Sequence, residues 1–214
     1  MSGLVRLLAI ALLCGTALLG VGAAFHPMLG GDAASQLQTI AATSYWRALH
    51  LAMLLGSGLL IAGVWVRLVT DRAAVAPVVA ALATISVGLA LNALNIAFMA
   101  GSGTHMAVLF ASGRVDMQSA FEATHPIGLM AARFGNFVVA LGALALGWIE
   151  SSDATRPRWL AWLAWVAAAG GLVGVFFFDE ASRFALAAVA LLSGWEVATA
   201  VLSLRSADDF ATKA

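Results

Sequence analysis

Trp46-Arg47-Ala48-Leu49-His50-Leu51-Ala52-Met53-Leu54-Leu55-Gly56-Ser57-Gly58-Leu59-Leu60-Ile61-Ala62-Gly63-Val64-Trp65-Val66 contains one charged residue, Arg47, at its start, and the next charge is Arg67. A membrane-crossing helix needs about 20 mostly apolar residues. This stretch meets that need, and it sets the reading of the rest. Five more stretches match it, near Leu7–Phe25, Ala76–Gly101, Pro126–Ile149, Trp159–Phe178 and Phe184–Leu204. The chain is 62% hydrophobic and 10% charged, against roughly 25% charged in soluble domains. The expectation is an all-α integral membrane protein. Residues 1–214 form a single domain, a bundle of six transmembrane helices embedded in a lipid bilayer.

The first stretch also has features of a secretory signal: Arg6, an apolar core and the small residues Gly22-Ala23-Ala24. Its length favours a retained helix, which gives six spans with both termini on one side. Basic residues set the direction. With the N-terminus inside, Arg6, Arg67, Arg72, Arg156, Arg158, Arg205 and Lys213 are internal, while Arg47, Arg114 and Arg183 are external. That asymmetry predicts a multi-pass cell-membrane protein with cytoplasmic termini. Two extracytoplasmic loops are long, over residues 26–45 and 102–125, and each is expected to carry a short helix. Asp32 is a candidate cap for the first of these, over Ala33–Thr43, and Val115–Thr124 forms the second.

The formal charge is zero, so no basic patch speaks for nucleic acid as a partner. The single cysteine, Cys14, excludes an intrachain disulfide and every CxxC motif. No nucleophile motif, phosphate loop or paired-carboxylate motif is present. Asp179-Glu180 reads as a solvated turn between spans.

The four histidines share the outer side. His26 closes the first span, His50 lies one turn into the second, His105 follows the third, and His125 opens the fourth. Met28, Met53, Met99, Met106, Met117 and Met130 share that half. Imidazole and thioether together suit copper, and two facing histidines suit a b-type haem. Candidate ligands are therefore His50, His125, His26, His105, Met53 and Met106, with His50 and His125 the best-placed pair. A histidine at a helix end also serves to satisfy backbone groups, and a methionine in a span also serves as packing.

Polar residues inside the spans add to the pattern. Arg47, His50, Met53 and Ser57 form a stripe on the second span; Asn92, Asn95 and Met99 form one on the third. Arg133 and Asn136 lie in the fourth span and Glu196 in the sixth. Ionisable groups at such depth usually face the bundle interior. Arg133 is placed to hold a haem propionate, to hold a substrate carboxylate, or to snorkel outward to Glu122. Glu196 is placed for protonation, for a partner on another helix, or for carrying protons.

Arg47-Ala48-Leu49-His50-Leu51 resembles the copper resistance D-type membrane family, in which a histidine follows an arginine near the start of a span. Ala132-Arg133-Phe134-Gly135 is similar to the Ala-Arg-Arg-Phe-Ser start of a later span in that family, with one arginine missing. The family normally has more spans than this chain offers. The resemblance implies outward-facing copper handling or haem-associated redox work, with His50 as the carried-over position. Two other functions compete with this one. One is a non-catalytic accessory subunit packed against other membrane subunits or a second copy. The other is a small transporter or channel, although no inverted repeat is visible.

Overall fold

The computed structural model describes residues 2–70, 75–154, 156–177 and 192–205. Its elements are α1 (Ser2–Phe25), α2 (Ala33–Ala42), α3 (Trp46–Gly63), α4 (Val66–Thr70) and α5 (Val75–Phe98), a π-helical segment (Met99–Gly103), then α6 (Thr104–Ala111), α7 (Asp116–Ser152) and α8 (Arg158–Phe177). Residues 192–205 form α9. Five helical stretches are long and apolar enough to cross a membrane: Gly3–Phe25, Trp46–Thr70, Ala76–Ala111, Asp116–Ser152 and Arg158–Phe176. The protein is all-α among the described residues and is a multi-pass membrane protein. The expected sixth span near Phe184–Leu204 lies partly outside the described residues, as do Asp179-Glu180, Arg72, Arg183 and Lys213; its second half is helical.

Two glycine seams hold the helices close. In lipid, apolar surface gains little from leaving its solvent, so close backbone contact drives helix pairing. Along α1 and α3, a Cβ at Gly63 would lie 2.5 Å from Leu12 N, and one at Gly15 would lie 2.8 Å from the Gly56 carbonyl oxygen. Along α5 and α7, a Cβ at Gly88 would lie 2.6 Å from the Gly135 carbonyl oxygen. Leu12, Leu60, Val78, Leu82, Ile85, Leu146, Leu160 and Trp195 fill the core between these pairs.

The second long loop is not a loop. The third apolar run continues through the π segment to Ala111, and a tight turn at Gly113 (φ +98°) leads into α7. A π turn adds a residue without ending the helix, so apolar periodicity shifts there and reads as a boundary. Pro126 also sits inside α7 rather than starting a span. It leaves the Glu122 carbonyl without an intrahelical donor, and both residues are exposed, so solvent can take that role. The 37 residues of α7 extend about 55 Å, well beyond the ~30 Å hydrocarbon core. One end of the bundle therefore rises above the membrane. The other long connection carries α2, as expected, with Asp32 Oδ1 accepting from Ser35 N at 2.8 Å. Leu37 and Ile40 of α2 pack with Met106 and Ala107 of α6, forming a roof over that end.

Candidate functional site

The α1–α3 seam ends in a histidine pair. Met53 packs directly over Gly22. One layer beyond, His26 Nε2 and His50 Nε2 stand 3.2 Å apart. His50 is buried, and His26 is half-buried just past the end of α1. His50 Nδ1 lies 2.9 Å from the Trp46 carbonyl oxygen. A carbonyl only accepts, so Nδ1 carries a proton, and in the neutral ring His50 Nε2 presents a lone pair. The Pro27 carbonyl stands beside the His26 ring and favours a ring proton there too. Burial nonetheless dominates and holds His26 below the usual imidazole range, favouring the neutral ring. With both rings neutral, the two imidazoles direct Nε2 atoms at one another. Either His26 Nε2–H bridges them, or both lone pairs meet a cation.

Trp46 walls the pair. Its ring centroid lies 4.9 Å from that of His26 and 4.4 Å from that of His50. Its Nε1–H donates to the Met99 carbonyl at 3.3 Å, and Thr104 Oγ1 donates to the same oxygen at 2.7 Å. The Thr104 backbone N–H reaches that oxygen as well, in the i to i+5 pattern of the π segment. π turns of this kind are frequent at functional sites. From its sequence Trp46 reads as a boundary residue; it is 1% exposed and forms part of the site.

The expected partner of His50 was His125, and the structure pairs it with His26 instead. His125 is buried on α7 against Phe121 and Phe98, at centroid distances of 4.4 and 6.2 Å. α7 packs most closely against α5, and its histidine faces Phe98 of that helix. His105 is exposed on α6 and takes no part in the pair. Met99 and Met106 are buried in the cluster of Leu37, Ile40, Trp46 and Phe121, as packing residues. Met28 and Met130 are exposed. Among the described residues, no group of three or more His, Cys, Asp or Glu converges as a ligand set.

The polar residues expected in the interior lie elsewhere, and Asn136 is exposed on α7 rather than buried in the bundle. Asn92 Nδ2 donates to Asn136 Oδ1 at 3.0 Å, linking α5 to α7, and Asn95 Oδ1 faces Gly128. Arg133 is half-buried on α7. Glu122, to which Arg133 was expected to snorkel, accepts from Gln118 at 3.0 Å, and the nearby Asp116 is paired with Arg114 at 2.7 Å. Glu196 is buried and meets Thr16 of α1.

The far end of the bundle carries a charge cluster that sequence reading missed. Arg67 Nε bonds Glu150 Oε1 at 2.9 Å, with side chains 1% and 0% exposed. Arg67 also reaches Asp153 at 3.4 Å, and Arg156 Nε meets the second Glu150 oxygen. It ties α4 to the end of α7.

No protein-family model matches this chain, and neither curated proteins nor solved structures show a significant match to it. The fold defines the class, a multi-pass α-helical membrane protein, and the reading of its site rests on its own geometry.

Proposed function

We propose that this is a metal-handling membrane protein whose centre is the His26–His50 pair, with copper as its ion. The observation that supports this is the 3.2 Å approach of two Nε2 atoms with Nδ1 of His50 committed to a backbone carbonyl. Two nitrogens bound about 2.0 Å from one ion at a tetrahedral angle lie about 3.3 Å apart. Anchoring of the remote ring nitrogen is the usual device that orients a ligating histidine. Axial ligands on opposite sides of an ion would stand about 4 Å apart, with a macrocycle between them. The pair therefore fits a small ion better than a b-type haem. Met53, one layer along the seam, adds a soft thioether that favours copper over harder ions. In this reading the chain has six spans and cytoplasmic termini, and the pair faces outward beneath the α2–α6 roof. Redox work follows if the ion cycles between oxidation states.

Titration of the purified protein with cuprous ion against a chromophoric chelator tests the reading. One ion per chain is expected. His26→Ala and His50→Ala should each lose more than about tenfold in affinity, about 1.4 kcal/mol. His105→Ala should change nothing. Stoichiometric binding that survives both variants, or its absence in the wild type, overturns the proposal.

A further inference from the structure

Glu196 sits at a depth where a carboxyl group is rarely placed without a purpose. It is 3% exposed, and its partner Thr16 lies near the middle of the span Gly3–Phe25. Thr16 is nine residues from Phe25 and thirteen from Gly3, or about 14 and 20 Å at 1.5 Å per residue. No cation approaches the carboxyl group among the described residues. On the elements around it the ionisable groups are Arg6 and Cys14 of α1, Arg158 of α8 and Arg205 of α9, all exposed, and Arg67 of α4, committed to Glu150 and Asp153.

Thr16 Oγ1 has one hydrogen and two acceptors in reach, the Leu12 carbonyl at 2.8 Å and Glu196 Oε2 at 3.0 Å. One hydrogen cannot fully serve both. A protonated carboxyl group resolves the competition: it donates to Thr16 Oγ1, which keeps its own hydrogen on the carbonyl. Thr199 and Ser203 continue the same face of α9 and are 1% and 2% exposed. Among the described residues Thr199 Oγ1 has no hydrogen-bond partner, and Ser203 Oγ donates to the Thr199 carbonyl. A polar lane therefore runs from Glu196 toward Arg205 through an otherwise apolar interface.

We infer that Glu196 is a proton-binding site within the membrane, holding an exchangeable proton that is delivered along Thr199 and Ser203. The site is independent of the histidine pair. On release, the proton passes from the carboxyl group to a lane oxygen or to water beside it, leaving a carboxylate that Thr16 can turn to face.

Infrared difference spectroscopy of the protein in lipid vesicles, Glu196→Gln against wild type, reads the carboxyl directly. Expected at neutral pH is a protonated-carboxyl C=O band that is lost in Glu196→Gln, moves to higher frequency in Thr16→Val, and shifts in deuterated buffer. Thr199→Val and Ser203→Ala should slow the deuterium shift and leave the band itself in place. A wild-type spectrum showing carboxylate at position 196, or a band that never exchanges, overturns the site. Exchange at wild-type rate in both lane variants overturns the route.

Discussion

Glu150→Gln is the most discriminating perturbation of the fold, because one buried carboxylate stands between two guanidinium groups. Glu150 and Arg67 are 0% and 1% exposed and bond at 2.9 Å, while Arg156 occupies the other carboxylate oxygen. Neutralising Glu150 takes from both cations their buried counter-charge, while Asp153, 20% exposed, stays 3.4 Å from Arg67. Removing one partner of a buried pair costs about 3–5 kcal/mol, since an uncompensated charge stays behind. Because two cations lose the same buried partner, the upper part of that range is expected. Asp153→Asn removes a longer, wetter contact and should cost about 1 kcal/mol or less. The double change Arg67→Met with Glu150→Leu removes both charges together and should cost less than Glu150→Gln alone. Equilibrium unfolding in bicelles measures all three. Copper affinity serves as the control: His50 and Arg67 are about 25 Å apart along the helix at 1.5 Å per residue, so it should not change. A cost below about 1 kcal/mol for Glu150→Gln, or equal costs for the Glu150 and Asp153 changes, would refute the assignment of Glu150 as the centre of the cluster.

Gly63→Ala should destabilise by about 1–3 kcal/mol, because its Cβ would fall 2.5 Å from Leu12 N and the backbone of α1 cannot yield; Gly58→Ala, with nothing within 4 Å, should be neutral. Equal unfolding midpoints for the two would remove the seam argument. Acidification should weaken the fold through His26, whose half-buried ring takes a proton less readily than the unfolded chain does. Stability is then complete above the usual imidazole range and falls as pH drops through it, and His26→Asn should flatten that slope between about pH 8 and pH 5; an unchanged slope in the variant argues against it.

What the sequence allowed to be read follows from what hydropathy measures. Hydropathy reports depth in the bilayer, so apolar runs such as Trp46–Val66 were legible, and so was the shared level of His26 and His50. It does not report the direction in which a side chain faces around its helix. His125, near the outer end of its span like His50, therefore looked a better partner for His50 than His26 did. Helix order was the better guide: α1 and α3 are joined by a connection that folds back on itself, so a residue just past the end of one lies opposite a residue one turn into the other. The small residues carried the missing direction. Gly15, Gly22 and His26 recur at i, i+7 and i+11, one face of α1, and the first two are where α3 comes closest. A histidine that continues a glycine face points at the neighbouring helix, and this places His26 against α3. The Arg67–Glu150 bond had no such signal. Its partners are 83 residues apart, both lie where a span ends, and a charge at a span end reads as an orientation marker until the helices are assembled.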